Sequence, residues 1–156
     1  MAENGEFVTM YREKYQLSDM EPVIVRALAM GGTFAFYPCG TSMLPTIREG
    51  RNQVILTSVP ERLKKYQIIL YKRTDGAYVL HRIVGVRDGS YMMRGDNQYV
   101  IEPDIQRDQM IAMACGIVQN QKMVDPNKGI PHLKGVLWVK TMWIRKCLNV
   151  LRWRKK

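Results

Sequence analysis

The stretch from Tyr66 to Gly95, YQIILYKRTDGAYVLHRIVGVRDGSYMMRG, constrains the fold more than any other part of the chain. Three runs, two rich in Ile, Val, Leu and Tyr and a third carrying Tyr91-Met92-Met93, are separated by Asp75-Gly76 and Asp88-Gly89. Asp-Gly between such runs signals a hairpin, because tight turns need backbone conformations that Gly adopts freely and Asp tolerates. Three strands joined this way are antiparallel and must bury a face against further structure. Two earlier runs supply it: TFAFY (33–37) and NQVILTSV (52–59), the second stopped by Pro60. MIAMACGIVQNQKMV (110–124) fits helix or strand by pattern alone, and its Gly116 and Val-rich end favour strand. The loop before it carries Glu102-Pro103-Asp104.

Helices are expected at both ends of this β region. SDMEPVIVRALAMGG (18–32) has Ser18 or Asp19 as a cap, Pro22 near its start and Gly31-Gly32 as a stop. The last 21 residues, VLWVKTMWIRKCLNVLRWRKK, have helical periodicity, with Val136, Val139, Trp143, Cys147, Val150 and Leu151 on one side. The expected organisation is therefore a polar segment at 1–17, a β domain at 18–124, a linker at 125–135 and a basic amphipathic helix and tail at 136–156. The fold class is mainly β, a small antiparallel, coiled, barrel-like core with an N-terminal and a C-terminal helix. A chain of 156 residues suits one such domain.

The net charge of +10 is uneven. Seven Lys and Arg and no acid lie between Lys140 and Lys156, so the other 139 residues carry only +3. That distribution argues against a domain built for nucleic acid. It fits a terminal helix on an anionic membrane surface, with Trp138, Trp143, Arg145, Arg152 and Trp153 as candidate contacts; the alternative is that the apolar side packs on its own domain. No cleavable leader or membrane span is expected, since the N-terminus lacks an apolar core and residues 22–38 are broken by Arg26 and Gly31-Gly32. Cys39, Cys115 and Cys147 form no paired framework, which points to a reducing, cytoplasmic compartment. His81 and His132 are far apart and lack a carboxylate cluster, so no metal or other cofactor is expected.

Three polar features interrupt the apolar runs: Ser42 in GTSMLPTI (40–47), His81-Arg82 inside YVLHRIVGV, and Asp96 in RGDNQ. A serine hydroxyl needs a base, an imidazole can serve near neutral pH, and a carboxylate can orient that imidazole. Each residue also has a plain structural explanation, as a cap, a core histidine and a turn residue.

Their order and context resemble the signal peptidase I and SOS-repressor serine peptidase superfamily. That family has a G-x-S-M-x-P-T box, a base followed by Arg on a downstream strand, and a G-D-N box. The resemblance implies a mainly β peptidase core with Ser42 as nucleophile and, through its backbone N–H, an oxyanion donor. Met43 and Pro45 would shape the turn, and His81 would be the base, as in the histidine-type members. Asp96 would support His81 or instead pair with Arg82. The chain departs from the family at Gly40, where many members have a hydroxyl, at Gly50-Arg51-Asn52 and at Tyr66-Gln67. The expected function is a serine endopeptidase acting on a leader or precursor peptide, on the cytoplasmic side and peripheral to the inner face of the membrane. The alternatives are an inactive peptidase fold used as a binding module, and a basic adaptor that binds anionic lipid or nucleic acid through its tail.

Overall fold

A computed structural model describes residues 17–153, with side chains described as far as Cys147. The expected segment at 1–17 therefore lies almost wholly outside the described residues. At the centre is β3 (Ile68–Lys72), flanked by β4 (Tyr78–Arg87) and β7 (Met110–Gln119), both antiparallel to it. Successive side chains of a strand point to opposite faces. Ile68 and Leu70 thus enter one apolar cluster, and Ile69 and Tyr71 enter a second. All four are fully buried, which explains why this strand reads as continuously apolar.

From one edge the sheet runs β1 (Phe34–Phe36), β2 (Gln53–Thr57), β7, β3, β4, β5 (Ser90–Arg94) and β6 (Glu102–Ile105); β8 (Lys122–Val124) pairs with β7. The expected mainly antiparallel β fold is what forms. The sheet is open, however, with β1 and β6 as edges, so the barrel-like closure is not made. The stretch at 110–124 is a hairpin of β7 and β8, turning at Asn120-Gln121, both at positive φ. β6 occupies residues expected to be loop. Pro103 lacks an N–H, and an edge strand tolerates it because one side of its ladder is unused.

α1 (Leu17–Ala29) lays Ile24 and Leu28 into the first cluster. The C-terminal region differs from expectation in two ways. α2 (Gly129–Lys140) begins inside the expected linker, and a break at Thr141 separates it from α3 (Met142–Trp153). Pro131 sits in the first helical turn, where its missing N–H costs no bond. At the far end Thr141 Oγ1 and N–H both donate to Leu137 O, Arg145 Nη2 donates to Trp138 O, and Arg94 Nη2 donates to Val139 O. These donors satisfy the last carbonyls of α2 and end it there.

Candidate active site

Ser42 lies on a tight turn between β1 and β2, held by Leu44 N–H to Thr41 O and Ile47 N–H to Met43 O. Met43 and Ile47 point into the first apolar cluster, so the turn is anchored from beneath. Met43 thus packs beneath the turn. Pro45, joined to Leu44 by a cis peptide bond, is exposed on the outer side.

The residues after β5 hold this turn from across the molecule. Asn97 N–H donates to Ser42 O at 2.8 Å, and Asn97 Nδ2 donates to Thr41 O at 3.3 Å. Gly95 comes so near that a Cβ there would stand 2.6 Å from Ser42 O and 3.0 Å from His81 Nε2. Only glycine lets the chain leaving β5 come this close to both the serine turn and the imidazole. Both Ser42 O and His81 Nε2 thus lie beside Gly95, whereas Nδ1 is turned to other partners.

Asp96 has a different partner from the one its catalytic assignment requires. Its two oxygens accept from Arg82 Nε at 2.8 Å and Arg82 Nη2 at 2.7 Å, and Thr46 Oγ1 also donates to it. Arg82 and Asp96 are each 1% exposed. The Arg82–Asp96 pair expected as the structural option is therefore observed. Alternation along β4 sends Arg82 to the face opposite His81, and the G-D-N aspartate follows the arginine.

The carboxylate on the His81 ring is that of Glu102, at the start of β6. Its Oε1 lies 3.1 Å from His81 Nδ1. Arg73 Nε donates to Glu102 at 2.7 Å and Tyr71 Oη at 2.9 Å, and Tyr71 Oη is 3.3 Å from the same Nδ1. Burial pushes the carboxyl of Glu102 up, but the hydrogen bonds from Arg73 and Tyr71 and the Arg73 charge outweigh it, so Glu102 stays below its ordinary pKa. Burial holds His81 below its usual value, partly opposed by the Glu102 charge. Burial and the bond to Glu102 push the Tyr71 phenol far up, which keeps it a neutral donor. An ionised Glu102 accepting from Nδ1–H leaves the lone pair on Nε2, the nitrogen beside Gly95 and the serine turn.

Ser42 and His81 line one cleft of about 250 Å³, together with Cys39, Arg73, Tyr78 and Gln98. Sequence reasoning missed Glu102, Arg73 and Tyr71. No group of three potential metal ligands occurs among the described residues. Of the membrane candidates, Trp143 is exposed, but Trp138 is turned inward and donates its indole N–H to Asp96 O at 2.8 Å. Arg145 stacks 3.4 Å above the Trp138 ring. Trp138 and Arg145 thus join the helices to the domain. The side chains of Arg152 and Trp153 lie outside the described residues.

No family model matches the chain, and no curated protein matches it.

Proposed function

We propose that the chain is a serine endopeptidase in which Ser42 is the nucleophile, His81 the general base and Glu102 the carboxylate that orients the base. The observation that supports this most is the polarity of His81. Its Nδ1 is held by a carboxylate while its Nε2 lies beside the serine turn, in a cleft that Ser42 and His81 both line. In the proposed reaction Ser42 Oγ attacks the substrate carbonyl and its proton moves to His81 Nε2. The imidazolium is stabilised by Glu102 and returns the proton to the leaving amine. Water, activated by the same imidazole, resolves the acyl-enzyme. The Ser42 backbone N–H is the proposed oxyanion donor, a role that contributes a few kcal/mol when the donor is well aimed. Peptide-bond cleavage in a leader or precursor peptide is the proposed substrate chemistry. The described cysteines are unpaired, which favours a reducing, cytoplasmic setting.

A fluorophosphonate probe and a broad peptide library test the proposal. The wild-type chain should be labelled and should cleave; Ser42→Ala should do neither, while its stability changes by no more than about 1 kcal/mol. Absence of both labelling and cleavage in the wild type would refute it and leave the fold as a binding module.

A further inference from the structure

We infer that the outward face of α2 and the start of α3 is a docking surface for an anionic phospholipid membrane. The inward side of α2 is already occupied. Gly135 is buried against Arg82, and Trp138 is hydrogen bonded to Asp96. What remains outside includes large apolar side chains: Ile130 is 70% exposed, Leu133 65%, Leu137 60% and Trp143 68%. Ile130, Leu133 and Leu137 follow at i, i+3 and i+7, a single strip along the helix. This strip differs from the arc expected from a continuous helix, since Val136 and Val139 are half-buried and Met142 is buried.

Charge decides what covers the strip. Nine Lys and Arg and no Asp or Glu follow Asp125. Lys134, Lys140 and Lys146 are exposed around the apolar side chains. A second copy of the chain would bring the same cations against these, with no acid from this region to meet them. A nucleic acid would meet the cations but leave the aliphatic groups in water. An anionic bilayer satisfies both, with apolar groups in the interface and ammonium groups at the phosphates. The loop carrying exposed Val100 lies near the start of α3, because its Tyr99 is within electrostatic reach of Arg145. That loop runs from Asn97, which holds the Ser42 turn, to Glu102, so it links the cleft to the start of α3.

Vesicle flotation of the full chain tests this independently of any peptidase activity. Wild type should float with phosphatidylglycerol–phosphatidylcholine vesicles, remain unbound with phosphatidylcholine alone, and be released at about 0.5 M salt, where screening is nearly complete. Leu133→Glu with Leu137→Glu should reduce the bound fraction at least tenfold with the melting temperature unchanged. Lys134→Glu with Lys140→Glu should do the same, and Ser42→Ala should float like wild type. Wild type that stays unbound, binds both vesicle types equally, or keeps its binding in both double variants overturns the inference. So does a stable dimer that the leucine variant dissociates, or retention of duplex DNA by a chain that ignores vesicles.

Discussion

Asp96 and Glu102 stand six residues apart and act on opposite faces of the same strand. One neutralises a buried arginine and the other polarises a buried histidine, so their isosteric amides should fail in different ways. Asp96→Asn leaves Arg82 without its charge partner, a loss of about 3–5 kcal/mol in a buried pair. The melting temperature should fall by about 2–4 °C for each of those kcal/mol. Glu102→Gln should instead lower kcat by about 10²–10⁴-fold through the mispositioned imidazole. The pH profile separates the two further. Because burial holds His81 below its ordinary value, wild-type kcat/KM should rise with pH through a point below about 6.5 and be level at neutrality. The Glu102 charge raises that point, so Glu102→Gln should move it lower still. The same depressed value has a stability counterpart. The folded state resists protonation of His81, so this contribution is complete above about 6.5 and is lost as pH falls through the folded value. An unchanged profile in Glu102→Gln beside a shifted one in Asp96→Asn would reverse the assignment. Ser42 and His81 were legible in the sequence because each sits in a local pattern. Glu102 was not, since its tie to His81 exists only through the pairing of β4, β5 and β6.

The helix α2 shows why composition misled at the level of the element. DPNKGIPHLKG reads as linker because Pro and Gly usually break structure. Here Pro131 belongs to a first turn, and Gly135 is present for approach. A Cβ on Gly135 would stand 2.9 Å from Arg82 Nη1, which donates to Tyr66 O on a guanidinium whose Nε and Nη2 are held by Asp96. Gly135→Ala, normally helix-stabilising, should therefore cost about 1–3 kcal/mol by overpacking. It should also raise the rate of proteolysis between Asp125 and Gly129 as α2 lifts. Thermal melts and limited digestion of the purified variant measure both; a melting temperature above wild type would show that α2 does not press on Arg82. The strands before Gly95 were readable for the opposite reason. The turns joining β3, β4 and β5 are Asp-Gly, and alternation or continuous apolar character distinguishes half-buried from central strands, whereas β6 offered only Glu-Pro-Asp-Ile.

At the scale of the whole molecule, the open sheet gives the proposed catalytic residues unequal neighbours. Ser42 is carried by a turn seated in the first apolar cluster, and His81 by a strand flanked on both sides. Glu102 stands on β6, which is paired to β5 alone, at Tyr91–Ile105 and Met93–Glu102. An edge with so few ladder bonds and a proline in it belongs to the part of a fold that opens first. Warming should therefore silence hydrolysis before it melts the sheet. Activity assayed at each temperature is expected to fall below the midpoint of the far-ultraviolet circular dichroism melt and to return fully on cooling from that interval. Amide exchange at Ile105 should be faster than at Ile69 over the same range, whereas coincident inactivation and melting curves would mean that β6 does not open separately. The edge position would thus make β6 a thermal brake: a chain warmed short of unfolding would keep the proposed nucleophile and base in place and lose only the charge that orients the base.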